Sequence, residues 1–273
     1  MTKPATTLDI FKLLDHSNCR ECGEKTCFAF AAGVFKGTRR LEECPRLDRE
    51  TIRQFAEAHG LRQAPAATPT DERENAIDDL KKAMAGLDLE EAARRTGGQF
   101  AGGKLTVRIL GKDFGVDNQG ALYADIHVNP WVAGPFLDYV LFGKGVPPTG
   151  QWLSYRELKK GREGYPLFKK RCEDAMKRVA DVYPDLFDDM VHLFSGRQVE
   201  QQFQSDISVV LHPLPKVPIM ICYWFPEEGM ESTLNLFFDK SAEENLSIGS
   251  AFAIGVGLAQ MFTKLAQRHG VTV

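Results

Sequence analysis

No part of the 273-residue chain runs to the roughly 18 uninterrupted apolar residues that a bilayer-spanning helix requires. Its first residues, Met1-Thr2-Lys3-Pro4, lack the apolar stretch of a secretory signal. Both absences predict a soluble, cytoplasmic protein with no membrane partner. There is no long Lys/Arg tract, and the formal net charge is -3, so the electrostatic footprint for a phosphate backbone is missing and nucleic acid is not an expected partner. A P-loop and a Gly-x-Ser-x-Gly elbow are also lacking, which removes two common ways of cradling phosphate or presenting a serine nucleophile. Cysteine is scarce, six residues in all, yet four of them are crowded at Cys19, Cys22, Cys27 and Cys44.

Those four follow the spacing Cys-x2-Cys-x4-Cys-x16-Cys. A [4Fe-4S] cube needs four sulfur donors arriving from different directions, which a tight loop with three cysteines and one returning cysteine can supply. Gly23 lets the loop curl without a Cβ clash, and Cys44-Pro45 matches the Cys-Pro ending of bacterial ferredoxin motifs. Structural zinc takes the same ligands but usually pairs two short Cys-x-x-Cys knuckles, and here the fourth cysteine has no near partner. The spacing therefore favours the cluster over zinc, and both over a disulfide framework. His16, three residues before Cys19, reads as a loop residue able to donate to a sulfur, and His59 reads as an ordinary helix C-terminus.

The run Leu13-Leu14, Asn18-Cys19, Cys22-Gly23, Thr26-Cys27, the small-residue segment Phe28-Ala29-Phe30-Ala31-Ala32, Lys36-Gly37 and Cys44-Pro45 resembles the cluster-binding domain of the corrinoid iron-sulfur protein large subunit. It is similar as well to modules in the electron-transfer subunit of ferredoxin-oxidising membrane complexes. Both families hold one [4Fe-4S] cluster on four cysteines, so the resemblance implies Cys19, Cys22, Cys27 and Cys44 as the cofactor and metal ligands. It covers only about the first fifty residues. The barrel and corrinoid-binding domain of the large subunit are not visible in this chain.

Hydrophobic residues make up 43% and charged residues 26%, a balance that suits one or two globular domains. The organisation expected is a cluster-binding domain over 1–60, a linker over 61–75 and an α+β domain over 76–273. Helical spacing predicts short helices over 7–14, 27–36 and 48–59, with Thr6 or Thr7 and Thr26 as N-caps and Ile52, Phe55 and Ala56 on one face of the third. A negatively charged cluster at the N-terminus of the second helix would meet free backbone N–H groups. Arg62 to Asn75, rich in proline and small residues, reads as semi-extended.

In the larger domain, periodicity predicts a helix over 77–96, a meander of strands through 104–110, 114–116 and 121–123, and a buried helix over 131–142. A short helix over 152–158 and helical segments over 168–183 and 184–194 follow. Strands are predicted over 206–211, 217–224 and 232–238, then one long helix over 242–269. Strand clusters around a block of helices, without βαβ alternation, predict α+β with a largely antiparallel sheet. Gly143-Lys144-Gly145, Trp152-x-Ser154-Tyr155-Arg156-Glu157-Leu158, Pro218-Ile219-Met220-Ile221, Phe237-Phe238-Asp239 and the closing helix together resemble an uncharacterised domain of anaerobes often found behind such cluster domains. That resemblance spans roughly 75–273 and implies no activity.

Catalytic residues are not identifiable. Gly255-Val256-Gly257 superficially resembles a dinucleotide loop, but no strand precedes it and close helix packing explains it. Cys172 and Cys222 read as reduced, buried thiols. Asp117 and Glu227-Glu228 read as solvated turn carboxylates. Arg156, Glu157 and His212 retain some weight as loop and strand-end residues. The function expected is one-electron transfer in anaerobic metabolism, from a [4Fe-4S] cluster to a redox partner protein or a bound cofactor. Two alternatives stay open: a reductase or reductive activator holding a corrinoid or another cofactor in the second domain, and a scaffold or assembly factor with a structural metal.

Overall fold

Thr6 starts the first helix by a reciprocal cap: its hydroxyl accepts the Asp9 N–H at 3.3 Å, and the Asp9 carboxylate accepts the Thr6 N–H at 3.0 Å. In the computed structural model, residues 6–36, 38–59, 69–125, 128–183 and 185–271 are described. The chain falls into two compact units, Met1–Arg73 and Glu74–Val273. Most of the expected linker, residues 61–68, lies outside the described residues, as does the side chain of Ala56, and the chain is helical from Pro69.

The first unit is helical. Helix α1 (Thr7–Phe11) ends earlier than its periodicity suggests, although Leu14 beyond it is still buried. Thr26 caps α2 (Cys27–Phe35) by accepting the Ala29 N–H at 3.1 Å, and Asp48 accepts the Thr51 N–H at 2.8 Å at the start of α3 (Arg49–His59). Between α2 and α3 lies a 3-10 turn, Leu41–Glu43. Ile10, Phe30, Ala31, Leu41, Ile52 and Phe55 close a small core around which these pieces pack.

Helix α4 (Pro69–Ala83) runs into the second unit, and its described side chains start at Glu74. One helix was expected over 77–96; instead a 3-10 turn at Met84–Gly86 interrupts it, and Asp88 starts α5 (Leu89–Thr96) by accepting the N–H groups of Glu90 and Glu91. A cap residue inside a periodic stretch divides the helix without disturbing its apolar face. A four-stranded antiparallel meander follows, β1 (Gln99–Ala101), β2 (Lys104–Ile109), β3 (Lys112–Asp117) and β4 (Leu122–Ala124). Alternation places Leu105, Val107 and Ile109 of β2 inside.

After α6 (Pro130–Phe142) the chain enters a five-stranded antiparallel sheet in the order β5-β9-β8-β7-β6. The strands are β5 (Trp152–Ser154), β6 (Arg197–Gln198), β7 (Ile207–Leu214), β8 (Val217–Trp224) and β9 (Thr233–Asp239). The segment expected as a helix over 152–158 is strand β5 plus a 3-10 turn, because Trp152 to Ser154 pair with Asp239 to Phe237. Strand β8 is buried on both faces. Its outer side is covered by a small cluster of Val210, Met220, Cys222 and Phe237, so it reads as a continuous apolar run.

Helices α7 (Gly161–Phe168), α8 (Asp174–Val182) and α9 (Leu186–Leu193) lie between β5 and β6, with a π turn at Lys169–Glu173 joining α7 to α8. The long closing helix is two: α10 (Ala242–Asn245) and α11 (Ile248–Arg268), divided where Ser247 caps α11. By length and composition α11 could cross a membrane. Here one side of it packs against α6, α7, α8 and the π turn. A Cβ at Gly255 would stand 2.6 Å from Phe168 Cε2, so glycine there is a packing requirement, and the dinucleotide-loop likeness has no further content. Both sheets are antiparallel and helices surround them, which is the expected α+β class.

Candidate metal centre

The cysteine loop is curled by left-handed backbone. Asn18, Arg20 and Gly23 have φ of 50, 66 and 81°, and His16 has 59°. The Asn18 side chain then reaches across the loop and accepts the Cys27 N–H at 2.8 Å. With Ala29 bonded to Thr26, two of the first three N–H groups of α2 are taken by side chains, so the helix start offers fewer free donors than the sequence suggested. His16 does not turn toward a sulfur: its ring stacks on Phe11 at 4.3 Å, and Nε2 lies 2.8 Å from the Phe11 carbonyl oxygen.

Cys27 and Cys44 are buried in the core of the first unit and Cys22 packs against it. Cys27 is the first residue of α2, and Cys44 closes the 3-10 turn, its N–H bonded to the Leu41 carbonyl at 3.1 Å. Cys19 is half-buried in the loop and interacts electrostatically with Arg46. All four are free thiols. Among the described residues no three His, Cys, Asp or Glu side chains are grouped as ligands of a metal ion. The structure therefore gathers the four cysteines in one small unit, three of them at one core, without drawing their sulfurs to a point.

Two arginines tie this region together, and sequence reading missed both. Arg46, two residues after Cys44, pairs with Asp15 and Glu21 at 3.1 Å each, on either side of Cys19. Arg39 pairs with Glu24 and Glu43 at 3.0 Å each, joining the segment between Cys22 and Cys27 to the residue before Cys44. Hydrogen bonds from Ser17 and then the bond from Arg46 hold the Asp15 carboxyl below the usual carboxylate range. Isolated exposed pairs contribute little, but here each arginine bridges two segments that carry cysteines. Four soft thiols in one small unit, three of them in or against its apolar core, fit an iron-sulfur group by donor type.

In the second unit the remaining candidates serve structure. Glu157 accepts the Ser154 N–H at 2.8 Å and its hydroxyl at 2.6 Å, and that hydroxyl first, then the N–H, lowers its pKa. Arg156 lies 5.7 Å over the Tyr165 ring. His212 is exposed on β7. Asp117 organises its turn, accepting from Gln119, Ala121 and the Tyr123 hydroxyl. Cys172 and Cys222 are fully buried, and desolvation pushes both thiols up.

Glu173, which nothing in the sequence marked, is 1% exposed at the end of the π turn. Strand β5 covers only Phe237 to Asp239 of β9, and the next amide, Leu236 N–H, is taken instead by Glu173 at 3.2 Å. The Tyr165 hydroxyl donates to its other oxygen at 3.1 Å. Burial raises the Glu173 pKa.

A model described as a domain of unknown function, DUF3786, matches residues 88–261, and an Fe-S cluster model matches residues 14–46. The second match contains all four clustered cysteines. Over 42 residues the chain is 48% identical to the corrinoid/iron-sulfur protein large subunit of Moorella thermoacetica, covering 15% of this chain and 9% of that protein. It is 36% identical over 52 residues to the acetyl-CoA decarbonylase/synthase complex subunit gamma of Methanopyrus kandleri, covering 19% and 11% respectively. The Methanocaldococcus jannaschii subunit of the same name is 38% identical over 48 residues, 18% of this chain and 10% of that one. The chain thus spans about a tenth of the length of the curated relatives it matches. No solved structure matches.

Proposed function

We propose, for a chain that belongs to the DUF3786 family and carries an Fe-S cluster domain ahead of that family's domain, that Cys19, Cys22, Cys27 and Cys44 hold one [4Fe-4S] cluster and that the protein passes single electrons to a partner. The observation that supports this reading most is the coincidence of the Fe-S match with a unit that holds four free cysteines, three of them in or against one core. When bound, the cluster supplies a site that takes up and gives back one electron.

The chain's own residues set the surroundings. Cys27 and Cys44 present two buried thiols on the apolar side, where Phe30, Leu41 and Phe55 exclude water. Cys19 and Cys22, half-buried, leave part of the donor set within reach of a docking protein. Arg46 beside Cys19 sets a positive charge near the anionic group. Phe28 and Phe35 stand seven residues apart on one face of α2 and are each more than half exposed, which suits transient docking of a redox partner. Residues 1–60 would form the cluster domain, 61–75 a linker and 76–273 the domain that recognises what is reduced.

The names of the relatives, a corrinoid/iron-sulfur protein and an acetyl-CoA decarbonylase/synthase subunit, support a setting in anaerobic metabolism, and the free thiols suit a reducing, cytoplasmic compartment. Ligand substitution tests the assignment. After anaerobic purification, Cys27→Ala should lose the cluster's visible absorbance while Cys172→Ala keeps it in full. Retention of the whole cluster by Cys27→Ala would undo the ligand set. A corrinoid spectrum in the purified protein would favour the reductive-activator alternative, and zinc in place of iron the scaffold.

A further inference from the structure

In the second unit, α11, the start of α6 and the loop before β3 enclose a groove of about 700 Å³. That lies within the about 300–1,000 Å³ typical of small-molecule sites. Its floor is α11, where Ile254, Leu258, Met261 and Leu265 recur at helical spacing. Gly257 admits Trp131 from α6, whose Cβ would stand 3.0 Å from a Cβ at that glycine.

The charges around this apolar floor are of one sign. Lys112, Lys264 and Arg268 line the groove, and no aspartate or glutamate does. Among the described residues none of the three makes an ion pair. The negative end of the α11 dipole accounts for Arg268 in its last turn, but not for Lys112, which enters from β3. Lys264 and Arg268 stand one turn apart, a spacing at which like charges repel unless an anion is shared between them.

We propose that this groove is a binding site for a small amphipathic anion, with an apolar body against Trp131, Leu258 and Met261 and a carboxylate, sulfonate or phosphate met by the unpaired cations. An apolar lining alone would take any oily molecule. The one-signed cation set selects the anion and excludes a cationic analogue of the same shape. The proposal stands apart from the iron-sulfur reading, since none of its residues belongs to the first unit.

The test is fluorescence titration of the full, anaerobically purified chain with 1-anilinonaphthalene-8-sulfonate. A saturable rise at one probe per chain is expected, displaced by decanoate but not by 1-decanol or decyltrimethylammonium. Lys264→Glu combined with Arg268→Glu, both exposed, should weaken the probe at least about tenfold in a chain whose circular dichroism shows it folded. Met261→Trp, which fills the groove, should abolish binding. If the double variant does not fold, Lys112→Glu, exposed at the start of β3, carries the same expectation. Absence of saturable binding, displacement by decanol equal to that by decanoate, or wild-type affinity in the charge-reversed chain would each overturn the proposal.

Discussion

Burial decides what the ionisable residues of this protein do. The thiols at Cys172 and Cys222, fully enclosed and raised in pKa by desolvation, are inert packing, while Cys19 and Cys22 in the curled loop stay accessible. Glu173 is the acid with the most to lose from its position, since desolvation disfavours its charged form. Its folded pKa is raised above the ordinary 4.5, so the unfolded chain releases this proton first as pH rises. Relative to Glu173→Gln, which keeps an acceptor for the Leu236 N–H, wild-type stability should therefore fall as pH climbs from about 4.5 to the folded pKa, and the two should run parallel below that window. Urea midpoints of both proteins between pH 4 and 8 read this difference directly, and a constant gap across the range would refute it.

At the scale of elements, helix ends and strand pairing set the architecture. Caps at Thr6 and Thr26 could be read from sequence because each precedes a periodic apolar segment. Asp88 and Ser247 were not, since they sit inside stretches whose periodicity continues across the break. The β5 segment was mistaken for a helix because its strand character comes from pairing with β9, some ninety residues later, which no local signal reports. In the candidate site the cysteine spacing was legible, whereas the Arg46 and Arg39 bridges were not, as ion pairs between distant segments exist only once the loop is folded. The Gly255 packing was anticipated and gives a measurable contrast. Gly255→Ala should destabilise the second unit by about 1–3 kcal/mol, because the added Cβ meets the Phe168 ring and the Cys172 sulfur. Gly249→Ala on the same helix, with its nearest neighbour 3.9 Å away, should be neutral or stabilising by up to about 1 kcal/mol. Equal effects at the two sites, measured as shifts in urea midpoint, would contradict the packing account.

For the whole molecule, the functional signal and the bulk of the structure lie in different units. The first holds four cysteines and a core of few side chains; the second holds both sheets and most of the buried apolar residues, including nearly all the large aromatic ones. Under the proposed assignment, cluster binding and the order of residues 6–59 are coupled, as they are in other small metal-binding domains. The central claim is that this cofactor is a single redox-active [4Fe-4S] cluster. Iron and acid-labile sulfide analysis of the anaerobically purified full chain, with low-temperature EPR of the dithionite-reduced sample, tests it most directly. About four irons and four sulfides per chain with the signal of a reduced, one-electron cluster are predicted. A chain that holds zinc, or iron without sulfide and without a reducible signal, would contradict it.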